Sequence, residues 1–316
     1  MGKILYIVIP CYNEEEVLEE TTKRLTNKLD KLVKSKKISK DSRILYVNDG
    51  SKDKTWEIIV SFYERNKYVV GLNLSRNYGH QNALLSGLMY AKEHSDIVIS
   101  MDADLQDDIE VVDKFIEENE KGSDIVYGVR NSRKKDSFFK RTTASLFYKL
   151  MRLIGVEIIY NHADYRLMSK RSLDELENFR EVNLFLRGII PMLGYKTSIV
   201  KYDRDKRFAG ESKYPLRKML SFALNGVLSF SIKPIRFITS TGFLLSIVSF
   251  LYLIYCVVSY LVKGVPIQGW TTIVVLITLF GSFQIFCIGV IGEYIGRIYI
   301  ETKQRPRFII ERTLEK

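Results

Sequence analysis

At 316 residues, with 46% hydrophobic residues and a formal net charge of +11, the chain is long enough for one large globular domain plus an appendage. The basic balance fits nucleic acid, anionic lipid headgroups or phosphorylated substrates as partners. Cys11, Cys256 and Cys287 lie far apart without metal-ligand spacing, which argues against a disulfide framework and a zinc site.

In chain order, Ile4 to Ile9 reads as a buried strand that stops at Pro10-Cys11-Tyr12-Asn13. With no signal-peptide pattern in this run, the first domain is expected to start in the cytoplasm. A helix is expected from about Glu14 to Lys34, followed by a solvated Lys-rich loop, Lys34 to Lys40. Arg43 to Val47 reads as a second strand ending in Asn48-Asp49-Gly50-Ser51, and Asp53 as the cap of a helix reaching about Glu64. Val69 to Leu74 is a third strand, followed by Ser75 to His80 and a helix to about Lys92. The fourth strand, Ile97-Val98-Ile99-Ser100, runs into Met101-Asp102-Ala103-Asp104-Leu105-Gln106-Asp107. This alternation predicts a doubly wound α/β sheet whose strand ends converge on one crevice. Further on come a short strand from Asp124 to Gly128, a basic segment from Arg133 to Arg141 and a helix to about Leu153. A polar cluster, Asn161 to Arg166, and a helical patch, Asn183 to Leu193, follow.

The last third has a different character. Pro215 to Ser231 mixes basic and apolar residues and reads as an amphipathic helix at a membrane surface. Phe237 to Val262 and Gly264 to Gly292 carry no charged side chain, and each exceeds the roughly 20 residues needed to span a bilayer. Lys233 and Arg236 precede the first run, and Arg297, Lys303, Arg305 and Arg307 follow the second. The positive-inside rule then places both termini in the cytoplasm, with a short external loop. The expected divisions are a catalytic domain over 1–214, a juxtamembrane segment over 215–233, a transmembrane hairpin over 234–296 and a cytoplasmic tail over 297–316. Arg307 to Arg312 alternates enough to form a short strand.

Chemistry concentrates at the strand ends. Asp102 and Asp104 at i and i+2, with the Gln106 amide, offer hard oxygen ligands for Mg²⁺ or Mn²⁺. Pro10, Tyr12, Asn13, Asp49, Gly50 and Ser51 supply turns and polar groups suited to a nucleoside base and ribose. Arg130, Arg141, Arg207 and Lys213 are cationic candidates for phosphate. A Walker-type glycine loop does not occur. His80 and His162 read as satisfied loop histidines, because a hard cation prefers oxygen, and His94 reads as a surface residue.

Taken in order, several pieces resemble glycosyltransferase family 2 with the GT-A (Rossmann-like) fold, in particular the polyprenyl-phosphate glycosyltransferases. They are Ile9 to Glu14, Asn48 to Ser51, Gly79 to Ala83, Asp102 to Asp107, Gly128 to Arg130, Ala163 to Arg166 and Arg207 to Tyr214. The paired apolar runs are similar to the bactoprenol glucosyltransferase branch. The resemblance implies that Pro10, Tyr12, Glu14 and Asp49 contact uridine, and that Asp102 faces the sugar or diphosphate. It implies that Asp104 and Gln106 hold the metal, and that Arg130, Arg141 and Ser145 meet the acceptor phosphate. Arg207 and Lys213 would close over the phosphates, and Asp164 would lie near the acceptor as a proton acceptor, a sugar-steering group or a stabiliser of positive charge. Asn48 departs from the family pattern, which often has Asp there.

The implied reaction is inverting transfer of one sugar to undecaprenyl phosphate on the cytoplasmic leaflet. UDP-glucose is the expected donor; UDP-N-acetylglucosamine, UDP-galactose and GDP-mannose fit the same motifs. A separate flippase and a homo-oligomer, such as a tetramer, are implied, with Gly281, Gly289, Gly292 and Gly296 allowing close helix approach. Weighed against this are a processive polysaccharide synthase, a non-catalytic membrane scaffold and a nucleic-acid binder. The first expects a Gln-x-x-Arg-Trp element that neither Trp56 nor Trp270 supplies, the second is at odds with the intact acidic and basic set, and the third needs no membrane spans.

Overall fold

The apolar runs form strands buried on both faces, as a parallel sheet covered by helices requires. All seven residues of β1 (Leu5–Cys11) are buried, as are all four of β4 (Ile97–Ser100). The computed structural model describes residues 2–131, 162–182, 185–203, 233–263 and 269–316. Between β1 and β4 lie α1 (Leu18–Lys34), β2 (Arg43–Asn48), α2 (Thr55–Arg65), β3 (Val69–Leu74) and α3 (His80–His94). After β4 come α4 (Val112–Glu120), β5 (Ile125–Arg130), β6 (His162–Ser169), α5 (Lys170–Glu177), α6 (Leu186–Met192) and β7 (Thr197–Tyr202). The chain ends with α7 (Lys233–Lys263), α8 (Trp270–Thr302) and β8 (Ile310–Leu314).

The strands join in one eight-stranded sheet of order β7-β5-β6-β4-β1-β2-β3-β8. Strands β1 to β4 are parallel, and β5 and β7 run with them, while β6 and β8 are reversed. The winding leaves β1 toward β2 and β3, then returns to β4 on its other side. The sheet therefore has its switch point between β1 and β4, where a crevice opens at the strand ends. Because β6 is antiparallel to both neighbours, its amino end shares that edge. The helices pack by their apolar stripes: α1 buries Leu18, Leu25, Leu29 and Leu32. Gly87 of α3 allows the helix to lie close on the sheet, since a Cβ there would come within 2.4 Å of Val8.

Several elements differ from the sequence expectation. The polar cluster from Asn161 to Arg166 belongs largely to β6, and β7 was not foreseen. In β6 the alternation is there, but Asp164 and Arg166 occupy buried positions and neutralise each other, so hydropathy does not register a strand. Asp53 caps α2 as expected, its carboxylate accepting the Thr55 N–H (3.1 Å), and it also accepts the Glu15 N–H (3.3 Å), tying the first two strand-end turns together. The basic segment from Arg133 to Arg141, the helix after it and the amphipathic stretch from Pro215 to Ser231 lie outside the described residues.

The chain divides into two compact units, Met1–Met219 with Arg305–Lys316, and Leu220–Gln304. Helices α7 and α8 of the second unit are long and apolar enough to cross a membrane, and large side chains such as Phe243, Leu251, Ile285 and Phe286 are exposed on them. Helix α8 runs from Trp270 to Thr302. The tail then returns to the first unit, where β8 pairs antiparallel with β3. Leu314 is buried, and a Cβ on Gly71 would lie 3.2 Å from it and 2.9 Å from Ile59. Leu314→Ala is expected to cost about 2 kcal/mol, the low end for a core leucine because it closes the margin of the core. The check is a lower thermal midpoint of the full chain, followed by tryptophan fluorescence.

Candidate active site

The loop after β4 carries the acidic residues and is held from three sides. The Thr21 hydroxyl on α1 donates to the Ala103 carbonyl (2.9 Å). The Tyr165 hydroxyl on β6 donates to the Asp108 carbonyl (2.9 Å), and the Tyr202 hydroxyl on β7 donates to Asp107 Oδ1 (2.5 Å). Buried Lys28 of α1 pairs with Glu110 (2.6 Å) and with Asp113 at the start of α4. Within the loop, Asp104 Oδ1 accepts the Gln106 N–H (3.2 Å), and Leu105 has a φ of 56°. Such a left-handed conformation is uncommon for a bulky residue and persists where the surroundings over-determine it.

Asp164 faces this loop from the start of β6. Ser100 at the end of β4 donates its hydroxyl to the Asp164 carbonyl (2.5 Å), which fixes the strand across from Asp102. The Asp164 carboxylate is buried and fully engaged. Arg187 grips it with two bonds, Nε to Oδ1 (3.2 Å) and Nη2 to Oδ2 (2.9 Å). Arg166 Nη2 donates to Oδ1 from below (2.5 Å), and His80 Nε2 lies 3.5 Å from Oδ2 and 3.9 Å from Asp102. Burial alone would raise the Asp164 carboxyl, but the Arg187 charge, with His80 and Arg166, holds it well below the usual carboxylate range. For His80, burial disfavours the charged ring, yet its bond to Asp164 and the Asp102 and Asp164 charges raise its pKa.

The other carboxyls feel the crowding. Burial raises Asp102, and the Asp164 and Asp104 charges add to the effect against the opposing pull of His80. Burial and the Asp102 charge push Asp107 to about 6 despite the Tyr202 bond and Arg130. Arg130, at the end of β5, reaches the Tyr202 hydroxyl through Nε (3.4 Å) and stands 3.9 Å from Asp107.

The first two strand-end turns form a second group. The Asn13 N–H donates to Ser51 Oγ (3.0 Å), and the Lys52 N–H donates back to Asn13 Oδ1 (2.9 Å). Asn13 has a φ of 54°, and the Glu14 N–H donates to Thr55 Oγ1 (2.9 Å). Pro10 is a buried strand residue, while Tyr12 beside it is exposed. Asp49 accepts the N–H groups of Tyr78 (2.7 Å) and Gly79 (3.0 Å), so it fixes the entry to α3. Gly50 has a φ of +61°, and a Cβ there would lie 2.5 Å from the Arg76 carbonyl carbon. Only glycine allows these two loops to touch.

Comparison with known proteins places this geometry. The "Glycosyl transferase family 2" model matches residues 6–177, and the "GtrB C-terminal hairpin" model matches residues 233–298. The chain belongs to glycosyl transferase family 2. As such it is a glycosyltransferase with a GT-A-like mixed α/β fold. An "Uncharacterized glycosyltransferase YkoT" of Bacillus subtilis (strain 168) is 55% identical over 308 residues, covering 98% of this chain and 91% of the relative. A "Bactoprenol glucosyl transferase" of Shigella phage SfV is 40% identical, covering 98% of this chain and 99% of the relative. Among solved structures, mannosyl-3-phosphoglycerate synthase from Rubrobacter xylanophilus is 15% identical with a TM-score of 0.48, covering 71% of each chain.

In this family 2 glycosyltransferase the structure brings Asp102, Asp104, Gln106, Asp164 and Arg130 to one edge, with Tyr12, Asn13, Glu14, Asp49, Gly50 and Ser51 at the adjacent strand ends. Arg141, Ser145, Arg207 and Lys213 lie outside the described residues. Two residues were missed. His80, read from sequence as a loop histidine, stands between two carboxylates. Arg187 lay unnoticed in a helical patch, although a lone Arg within Leu184-Phe185-Leu186-Arg187-Gly188-Ile189-Ile190 is a charge that needs a partner. Arg187→Ala is expected to lower kcat about 10- to 100-fold, the scale of a displaced reacting group. It should cost roughly 1–2 kcal/mol of stability, discounted because Arg187 is one-third exposed. Arg187→Lys should recover stability more than turnover, since lysine cannot make the forked contact. Steady-state kinetics and melting curves of the three proteins check this.

Proposed function

We propose that this glycosyltransferase transfers glucose from UDP-glucose to undecaprenyl phosphate at the cytoplasmic face of a membrane, with inversion at the anomeric carbon. The observation that carries the reading is the end-to-end similarity to bactoprenol glucosyl transferases, hairpin included. The acidic crevice and the cationic Arg130 beside it suit a donor diphosphate and an acceptor phosphate. Helices α7 and α8 would anchor the chain, with both termini on the cytoplasmic side.

The donor set suits a divalent cation. Burial disfavours charge on the Asp102 carboxylate, and the neighbouring Asp104 charge adds to this; a cation relieves both. Among the described residues no three His, Cys, Asp or Glu side chains form a complete cage. Mg²⁺ and Mn²⁺ sites commonly use one or two carboxylates plus substrate phosphates. Asp102, Asp104 and the Gln106 amide would hold Mg²⁺ or Mn²⁺. When bound, the cation supplies charge stabilisation to the departing nucleoside diphosphate.

The chain's own residues do the rest. A phosphate monoester is largely dianionic at pH 7, so an acceptor oxygen attacks the anomeric carbon without losing a proton. Its bond forms as the bond from that carbon to the UDP oxygen breaks. Asp164, held ionised by Arg187 and Arg166, is a poor proton acceptor and a suitable fixed negative charge near a carbon that develops positive charge. Arg130 orients the incoming phosphate, and the turns at Asn13 and Asn48 to Ser51 seat the nucleoside.

The test is incubation of purified full-length protein with Mg²⁺, undecaprenyl phosphate and one radiolabelled donor at a time: UDP-glucose, UDP-N-acetylglucosamine, UDP-galactose or GDP-mannose. Label should pass from UDP-glucose into a lipid that mild acid hydrolyses. Preferred use of another donor would correct the sugar, and an unlabelled lipid with all four would remove the reading.

A further inference from the structure

The tail that follows the hairpin does more than close the sheet. Strand β8 pairs with β3 through Asn73↔Arg312 and then Leu74↔Ile310, so Glu311 is an extra residue with no opposite number. Bulges of this kind re-aim a side chain and are common beside active sites. Here the bulged residue's carboxylate Oε2 accepts from Asn73 Nδ2 (2.8 Å). Asn73 Oδ1 in turn accepts from Asn48 Nδ2 (2.6 Å), because the two asparagines sit in register on β2 and β3. Asn48 Oδ1 accepts the Ser51 N–H (3.3 Å), and Ser51 Oγ accepts the Asn13 N–H (3.0 Å). The same tail also meets the neighbouring loop, where the Ser75 N–H donates to the Ile309 carbonyl (3.0 Å).

We infer that Glu311 is a positioning residue for the donor, acting from the tail through Asn73 and Asn48 on the turn at Ser51. The direction of the relay is set at its tail end. A carboxylate can only accept, so it orients the Asn73 amide, which presents its oxygen to Asn48, which presents its own oxygen to the turn. Asn48 is buried, so an amide left without its partner there costs more than one at the surface. A neutral Asn at this position both donates to Asn73 and accepts from Ser51; an ionised Asp could not donate.

This inference rests on reading the turn from Asn48 to Ser51 as part of the donor site, and the test separates the two. Full-length wild type, Glu311→Ala and Glu311→Gln are titrated calorimetrically with UDP and with GDP in the presence of Mn²⁺. Donor and acceptor KM, kcat and melting midpoints are measured alongside. Glu311→Ala should weaken the nucleotide that wild type binds by about fivefold or more, the scale of a disrupted hydrogen bond. Donor KM should rise in parallel, with kcat, acceptor KM and the melting midpoint unchanged. Glu311→Gln, whose amide oxygen still accepts from Asn73, should restore binding. Equal nucleotide affinity in wild type and Glu311→Ala would overturn the relay while leaving the donor site intact. So would a Gln variant as weak as Ala, or a loss of affinity matched by a fall in melting midpoint. Wild type that binds neither nucleotide would remove the donor reading and the relay with it.

Discussion

The structure turns on the problem of holding several carboxylates at one edge of a sheet. Asp102, Asp104, Asp107 and Asp164 converge there, and burial with neighbouring like charge disfavours the ionised forms of Asp102 and Asp107. The forked bond from Arg187 to Asp164 is the main answer. It keeps one carboxylate ionised where burial works against it, and Arg166 and His80 share the load. The pairing exists because β6 runs against its neighbours and brings Asp164 to the strand-end side of the sheet.

The remaining features follow from keeping this edge rigid. Thr21 and Lys28 of α1, Tyr165 of β6 and Tyr202 of β7 each fix one part of the loop from Asp102 to Asp113. The strained backbone at Leu105 persists inside that frame. Rigid donors and acceptors aimed at a place where charge develops need no reorganisation when it does. On the other side of the switch point, the turns after β1 and β2 brace each other by reciprocal side-chain to backbone bonds. Asp49, which sequence suggests as a nucleoside contact, uses both oxygens on the backbone entering α3.

What the sequence made legible was what local pattern encodes. The buried strands β1 to β4 are apolar runs with polar stops, so the crevice and the residues at its rim could be placed. The paired apolar helices were equally plain. Strand β6 was hidden because its buried positions hold Asp164 and Arg166, which meet each other while Asp164 is also held by Arg187. Arg187 lies 23 residues beyond Asp164 in the chain, and nothing local to either reports their contact. The same holds for Glu311 and Asn73, joined across 238 residues by a bulge. Non-local pairing of polar groups is the part of a fold that hydropathy does not carry.

The most direct test of the acidic edge is nucleotide binding by the full-length protein with and without a divalent cation. UDP is titrated into wild type and Asp104→Ala in Mn²⁺ and then in excess chelator. Wild type is expected to bind UDP at least about tenfold more tightly with Mn²⁺, a difference of roughly 1.4 kcal/mol or more, and Asp104→Ala to lose this difference. UDP affinity unchanged by chelator, or a full Mn²⁺ effect retained in Asp104→Ala, would contradict it.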